Sequence, residues 1–133
     1  MSLVIDIGNT RIKYAHFVAG RIQEKGRLNT EDIPIIICNY SGKVKNTMLS
    51  SVKAIPQAIL SESLKHKPNL IVLSSEIQMP FKTLYETPTT LGTDRLALVA
   101  GAVFNFPNKP VLIIDAGTCI TIDFVDGKRR HLG

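Results

Sequence analysis

Two segments of the chain repeat one arrangement, and this repeat constrains the fold more than any other feature. Residues 2–7 are apolar and β-branched and lead into Asp6-Ile7-Gly8-Asn9-Thr10, and residues 111–114 lead into Asp115-Ala116-Gly117-Thr118. A segment of alternating apolar and polar residues follows each of them, which is typical of a half-buried strand. The repeat predicts two β-hairpins, each with an aspartate carried to a tight turn by a buried strand.

The rest of the chain predicts an α/β fold. Residues 2–28 indicate a three-stranded meander that turns at Ala19-Gly20, and residues 47–52, 70–73 and 111–114 indicate buried strands, with 70–73 at the centre of the sheet. Two helices are predicted over 55–67 and 93–105. Their inward-facing residues are Ile55, Ala58, Ile59 and Leu64 in the first helix, which Pro68 ends, and Leu96, Val99, Ala100 and Val103 in the second.

Residues 29–38 give conflicting signals. Glu31 and Asp32 follow Thr30, which suits a helix that begins with Thr30 as its cap. The next six residues, 33–38, are mostly β-branched and favour a strand by propensity. The conformation of residues 33–38 therefore stays open at this point.

Composition excludes several classes of protein. A chain of 133 residues with 44% hydrophobic and 20% charged residues can bury one core and is not disordered. No apolar run approaches the ~20 residues of a membrane helix, and the N-terminal residues do not resemble a signal peptide, so we expect a cytoplasmic protein without membrane contact. Cys38 and Cys119 each lie in an apolar stretch and are predicted to be buried free thiols.

The formal charge of +5 does not favour a nucleic-acid partner. Lys128-Arg129-Arg130 is the one tight basic run, and only 6% of the residues are aromatic, which gives few platforms for stacked bases. A mildly basic surface suits anionic small molecules by long-range attraction.

The first hairpin has the residue types of a phosphate site. Gly8 lets a ligand approach the backbone, and the amides of Asn9 and Thr10 can face phosphate oxygens. Lys13 adds a positive charge, and Asp6 can hold a hydrated Mg²⁺. Taken alone, the same residues are equally well explained as a turn whose polar side chains bond its own amides. The second copy at Asp115 favours a nucleotide site, and neither a P-loop nor a Gly-x-Gly-x-x-Gly fingerprint occurs.

A third cluster, Leu91-Gly92-Thr93-Asp94-Arg95, precedes the helix at 93–105. One interpretation is structural, with Thr93 or Asp94 as the helix cap. The other is functional, with Asp94 as general base towards an acceptor alcohol and Arg95 binding a carboxylate through two hydrogen bonds. The presence of the two aspartate hairpins favours the functional interpretation.

These three blocks together resemble type III pantothenate kinase, a family with the actin-like ATPase fold. The resemblance covers nearly the whole chain, and its most specific part is the spacing Tyr85-x-x-Pro88-x-x-Leu91-Gly92-Thr93-Asp94-Arg95. It implies a mixed sheet with an N-terminal meander flanked by helices. It also implies ATP-dependent phosphorylation of pantothenate to 4′-phosphopantothenate, the first step towards coenzyme A.

The resemblance also implies roles for individual residues. Asp94 would be the proton acceptor, Asp115 would help to hold a monovalent cation (K⁺ or NH₄⁺), and Asp6 would hold Mg²⁺, directly or through water. The implied ATP-binding residues are Asp6, Ile7, Gly8, Asn9, Thr10, Arg11, Ile12, Lys13 and Thr118. The implied pantothenate-binding residues are Tyr85, Gly92, Thr93, Asp94 and Arg95. Members of the family act as homodimers.

One difference from the family concerns length. Its members carry a second actin-like domain of comparable size, so we expect residues 1–133 to be the N-terminal kinase domain, and we expect the isolated chain to be inactive. Two other functions stay open. One is a non-catalytic accessory transcription factor of the same family, and the other is a kinase that acts on a different small alcohol.

Overall fold

A computed structural model describes residues 1–67 and 69–133, and this part of the chain divides into two compact units, Met1–Leu73 and Ser74–Gly133. Both units are mixtures of helices and mixed sheets, as the α/β prediction requires. Whether residues 1–133 form the N-terminal domain of a longer kinase stays a prediction. Within the described residues, no helix is both long enough and apolar enough to cross a membrane.

The first unit contains a five-stranded sheet with the order β3-β2-β1-β4-β5. β1 is antiparallel to β2 and parallel to β4, and β2 is antiparallel to β3. The predicted meander is confirmed. The elements are β1 (Ser2–Ile7), β2 (Ile12–Val18), β3 (Arg21–Leu28), α1 (Ile33–Tyr40), β4 (Asn46–Ser51), α2 (Gln57–His66) and β5 (Ile71–Val72).

The segment with conflicting signals is a helix. A short 3-10 turn, Thr30–Asp32, leads into α1. Asn29 is the N-cap of this turn and Asp32 is the N-cap of α1, so the prediction of Thr30 as the cap was wrong. The Asn29 amide donates a hydrogen bond to the Asp32 carboxylate at 3.0 Å. Pro34 lies in the first turn of α1, where its missing N–H costs nothing. Burial of Ile33 and Ile37 on one face then outweighs their preference for strands.

Alternate residues of β1 point to α1 and make the core of this unit. Leu3 and Ile5 are fully buried and pack with Ile33, Ile37 and Leu49. This alternation leaves Val4 and Asp6 on the opposite face of β1, since successive side chains of a strand point to opposite faces. The residue that the sequence singles out for chemistry is therefore held by a strand whose other face is anchored in the core.

Two predictions in this unit need correction, and a third is not tested. In α2, Ala58 and Leu64 are exposed, and the inward side is formed by Ile59, Leu60 and Ser63. β5 has two residues and lies at one end of the strand order, so it is not central, although the flanking Leu70 and Leu73 are buried. The predicted stop at Pro68 lies outside the described residues.

The second unit contains a four-stranded sheet with the order β6-β9-β8-β7. Its elements are β6 (Lys82–Thr83), a 3-10 turn (Pro88–Thr90), α3 (Thr93–Asn105), β7 (Val111–Ala116), β8 (Ile120–Val125) and β9 (Arg130–His131). The predicted bounds of α3 are confirmed. Its buried Val99 and Val103 pack against Val125 of β8 and against the partly buried Ile113.

β7 is partly buried on one face and exposed on the other, so the prediction of a buried strand was wrong. Leu112 and Ile114 are 60% and 62% exposed, and Ile120 and Ile122 of β8 are 72% and 57% exposed. Cys38 and Cys119 are free thiols, as predicted, but both are exposed, so the prediction that they are buried was wrong.

Candidate functional site

The β1–β2 hairpin arranges the first predicted phosphate loop. Asp6 is the penultimate residue of β1 and lies opposite Lys13 of β2. The Gly8 amide donates to the Arg11 carbonyl oxygen at 3.0 Å, and a Cβ on residue 8 would lie 3.2 Å from that oxygen. Asn9 and Thr10 are exposed at the tip of the turn. The hairpin therefore presents its tip to a ligand and needs a small residue at position 8.

Two of the predicted ATP-binding residues face the core. Ile7 and Ile12 are the last pair of residues before the turn of the β1–β2 hairpin, and they are 3% and 7% exposed. Any contact they make with a nucleotide would use their backbone atoms.

A row of polar side chains crosses the sheet at this end of β1. Ser50 of β4 and Lys13 of β2 both lie opposite Asp6, and Arg27 of β3 lies opposite Lys13. Directly paired residues share a face, with Cβ atoms ~4.5–5.5 Å apart, so two cations are adjacent there. Like charges directly opposite each other are destabilising, and the Asp6 carboxylate, opposite Lys13 on its other side, is the opposite charge in this row. Sequence reasoning missed Arg27, because its pairing with Lys13 depends on strand register.

A cleft of about 460 Å³ lies beside the turn, and its charged lining residues are mostly basic. It includes Gly8 and Thr10 together with Arg11, Arg27 and Lys53, while Glu31 is the one acidic residue among the described lining residues. Within residues 1–67 and 69–133, none of the ion pairs involves these three cations. A concave surface with three such cations and a turn of backbone amides suits a polyanion.

The β7–β8 hairpin repeats this geometry in the second unit. Asp115 is again the penultimate residue of its strand and lies opposite Thr121. The Gly117 amide donates to the Cys119 carbonyl oxygen at 3.1 Å, and Thr118 is exposed in the turn between them. The predicted repeat of a strand-end aspartate followed by a tight turn is therefore present in the structure.

The third cluster forms the start of α3. Gly92 is the N-cap, so neither Thr93 nor Asp94 is the capping residue. Asp94 lies in the first turn, and one of its carboxylate oxygens, Oδ1, accepts a hydrogen bond from the Arg95 amide at 2.8 Å. A Cβ on residue 92 would collide with that carboxylate. The glycine therefore makes room for the one orientation of Asp94 that the structure describes.

The Arg95 guanidinium forms a two-pronged ion pair with Asp123 of β8. Its Nε lies 3.0 Å from Oδ2 of Asp123, and its Nη2 lies 2.7 Å from Oδ1. The side chain of Asp123 is 1% exposed, and that of Arg95 is 19% exposed. Burial alone would raise the pKa of the Asp123 carboxyl, but hydrogen bonds from Arg95 and His131 lower it below its usual value. The bond to Asp123 correspondingly raises the pKa of Arg95.

His131 and Tyr85 complete this network. His131 is fully buried, and its Nε2 lies 2.6 Å from Oδ1 of Asp123. The Tyr85 ring stacks on the His131 ring with centroids 6.2 Å apart, and the Arg95 guanidinium carbon lies 5.0 Å from the Tyr85 centroid. The structure therefore brings together Tyr85 and Arg95, two predicted substrate residues, and adds Asp123 and His131, which the sequence analysis did not identify.

The described residues contain no cluster of three or more His, Cys, Asp or Glu side chains suited to hold a metal ion. The carboxylate chemistry still fits Mg²⁺ at Asp6, since Mg²⁺ is usually bound by one or two carboxylates together with substrate phosphates and water. Asp115, at the end of β7, offers an oxygen ligand of the type that hard monovalent cations accept.

Comparison with known proteins identifies the family of the chain. Residues 2–133 match the family model of type III pantothenate kinase. The chain belongs to this family. Relatives named type III pantothenate kinase include proteins of Christiangramia forsetii (44% identity), Flavobacterium psychrophilum (42%) and Phocaeicola vulgatus (39%). Each match covers 100% of this chain and 55–56% of the relative, so the chain spans about half the length of these proteins.

A solved structure is also similar. The crystal structure of a Campylobacter jejuni protein, described as a Baf family transcriptional activator, matches with a TM-score of 0.55 and 27% identity. The match covers 98% of this chain and 51% of that protein.

Proposed function

We propose that the protein containing this chain is a kinase that transfers the γ-phosphate of ATP to the primary hydroxyl of pantothenate and forms 4′-phosphopantothenate. The observation that carries the proposal is the match to the type III pantothenate kinase family over residues 2–133. The local geometry of the three predicted blocks supports it. The proposal extends to a cytoplasmic location.

The ATP phosphates are assigned to the two aspartate hairpins. Residues 6–13 would contact them through the turn amides and the Lys13 ammonium, and Thr118 would contribute from the second hairpin. Arg27 and Lys53 are added to this assignment because they line the same basic cleft as the first turn. Phosphoryl transfer depends mainly on positioning and on neutralising charge, and these cations can do both.

The acceptor is assigned to the start of α3. The Asp94 carboxylate would accept the proton of the attacking hydroxyl. Gly92 and Thr93 would contact pantothenate through their backbone at the helix terminus, and Tyr85 would pack against it. Arg95 would bind the pantothenate carboxylate, and such a pair commonly forms two parallel hydrogen bonds.

Two cations complete the proposal. Asp6 would hold Mg²⁺, directly or through water, and Asp115 would help to hold K⁺ or NH₄⁺. Bound Mg²⁺ neutralises charge on the transferring phosphate. We further propose that residues 1–133 are the N-terminal domain of a two-domain protein that acts as a homodimer, and that the isolated chain is inactive.

Asp94→Asn tests the central assignment in the full-length protein. Because this change removes the proton acceptor and keeps the shape of the side chain, we expect kcat to fall by about 10²–10⁴-fold while ATP binding is retained. Formation of phosphopantothenate is measured by a coupled ADP assay, and ATP affinity by calorimetry. Normal turnover by this variant would rule out Asp94 as the base. A panel of other small alcohols, assayed in the same way, tests whether pantothenate is the acceptor.

A second candidate function comes from the solved relative, because that protein is described as a transcriptional activator. A net charge of +5 is compatible with DNA binding, which would weaken as salt concentration rises. Fluorescence anisotropy with a labelled duplex at low salt tests it. Absence of binding at low salt would eliminate this candidate.

A further inference from the structure

Four side chains of the second unit form a closed circuit. Arg95 binds Asp123, Asp123 binds His131, the His131 ring stacks on Tyr85, and the Tyr85 ring lies beside the Arg95 guanidinium. Two members, Arg95 and Tyr85, are assigned to pantothenate under the proposed function. The other two, Asp123 and His131, are almost completely buried and therefore cannot reach a substrate themselves.

The pairing with Asp123 determines which part of Arg95 a ligand can use. A guanidinium presents five N–H donors in a rigid plane. Asp123 occupies the edge formed by Nε and Nη2. A ligand carboxylate that makes two bonds must therefore approach the end-on edge, formed by Nη1 and the second N–H of Nη2. The orientation of that edge follows from Asp123, since rotation about the side chain would break both bonds to the carboxylate.

The position of Asp123 is in turn fixed by His131. A carboxylate at its usual protonation only accepts hydrogen bonds, so the His131 Nε2 at 2.6 Å carries the proton of that bond. Thr83 Oγ1 lies 3.3 Å from the His131 Nδ1 and accepts a hydrogen bond from the Tyr85 amide at 3.2 Å. The polar atoms from the Tyr85 backbone to Arg95 thus form one continuous chain of hydrogen bonds.

Gly133 packs against the same circuit. Its φ is +101°, a conformation that residues with a Cβ rarely adopt, and a Cβ there would lie 2.9 Å from the Tyr85 ring. The Gly133 carbonyl oxygen accepts a hydrogen bond from the Phe124 amide at 3.1 Å. The Gly133 backbone therefore lies close to the Tyr85 ring and limits the positions that this ring can take.

We propose that Asp123 and His131 are positioning residues that hold Arg95 and Tyr85 as one rigid acceptor for the carboxylate end of the substrate. Asp123 acts through Arg95, and His131 acts through Asp123 and Tyr85. This proposal rests on the proposed function, because the carboxylate in question is that of pantothenate. It assigns specificity for an anionic acceptor to two residues that never touch it.

The test compares Asp123→Asn with the matched control Asp126→Asn in the full-length protein. Asp126 also pairs with an arginine, Arg130, in the same unit, but that pair is more exposed than the Arg95–Asp123 pair and lies outside the circuit. We expect Asp123→Asn to raise KM for pantothenate about 10- to 100-fold, the range for hydrogen bonds to charged groups. KM for ATP and kcat should change less than about threefold, and the control should match wild type.

An uncharged ligand separates positioning from general loss of structure. Panthenol carries a CH₂OH group in place of the pantothenate carboxylate, so its inhibition constant should stay within about twofold in Asp123→Asn. His131→Ala should raise KM for pantothenate as well. His131→Gln should restore part of the affinity, because its amide nitrogen can replace Nε2 as donor to Asp123. Equal weakening of panthenol and pantothenate, or an unchanged KM for pantothenate, would overturn the proposal.

Hydrogen exchange at Arg95 tests the positioning role of Asp123 and His131 independently of kinase activity. Wild-type protein without pantothenate kinase activity would refute the proposed function. The Arg95 Nε–H resonance, assigned through Arg95→Lys, should be protected from exchange in wild type and lose that protection in Asp123→Asn and His131→Ala. Unchanged exchange in these variants would refute positioning by Asp123 and His131, whatever the activity.

Discussion

Gly92→Ala separates the orientation of the candidate base from the stability of the protein. The added Cβ would collide with the Asp94 carboxylate, which is the flexible end of a short side chain. Asp94 can relieve this collision by rotating, but it then loses the hydrogen bond that Oδ1 accepts from the Arg95 amide at 2.8 Å. The backbone of residue 92 needs no left-handed conformation, since its φ is −59°. The substitution therefore acts mainly on Asp94.

The expected magnitudes differ for stability and activity. Alanine is a poorer N-cap than glycine, which costs about 0.5–1 kcal/mol. For a protein of the relatives' size this lowers the melting temperature by roughly 1–4 °C. Displacing a catalytic group by about 1 Å costs on the order of 10²-fold in rate. We therefore expect kcat to fall by about 10- to 100-fold in a protein that stays folded.

Gly101→Ala is the matched control in the same helix. A Cβ on residue 101 meets no described atom within 4 Å, and the position lies inside α3. Replacing glycine there should stabilise the helix by about 0.8–1 kcal/mol and leave kcat unchanged. Steady-state kinetics and thermal unfolding of both variants distinguish an effect on Asp94 from a loss of stability. Wild-type kcat in Gly92→Ala would show that the described orientation of Asp94 is not the productive one.

Two further predictions concern charge. Arg27→Met should raise KM for ATP about tenfold or more, because it removes a cation from the cleft that is proposed to bind the ATP phosphates. Arg21→Met, an exposed change at the start of the same strand, should leave KM unchanged, and an equal effect of both would contradict the assignment. The pKa of Asp123 is lower in the folded than in the unfolded protein, so its contribution to stability is present above pH ~4 and is lost as pH falls through the folded-state pKa. Denaturant unfolding at several pH values should show that the difference in free energy of unfolding between wild type and Asp123→Asn becomes smaller at low pH. A difference that does not change with pH would contradict the lowered pKa of Asp123.

The elements that could be predicted are those whose local signals agree. The meander has alternating strands and a turn at Ala19-Gly20, where Ala19 and Gly20 both have positive φ. α3 has a strong helical period and a turn-forming Gly92 before it, and its bounds were correct. Where local signals for helix and strand disagreed, the burial of side chains in the folded protein determined the secondary structure. α1 buries Ile33 and Ile37 against β1, and this outweighs a propensity difference of a few tenths of a kcal/mol per residue.

The part of the candidate site that is local in sequence could also be predicted. The turns after Asp6 and Asp115 and the cluster at Gly92 are each contained in a few residues, so their local geometry could be predicted from spacing, while the roles of their residues stay predictions. Arg27 and Asp123 could not be found in this way. Arg27 is proposed for the site because it pairs with Lys13 in the sheet, and Asp123 is separated from Arg95 by 28 residues.

β8 shows why Asp123 escaped notice and how such a residue can be recognised. Its alternation places Ile120 and Ile122 on one face and Asp123 and Val125 on the other, and the more apolar face would ordinarily be the buried one. The structure has the opposite, with both isoleucines more than half exposed and Asp123 at 1% exposure. Burying a carboxylate costs several kcal/mol unless partners compensate it. Arg95 and His131 supply that compensation, so the inverted burial of β8 is itself a mark of the network.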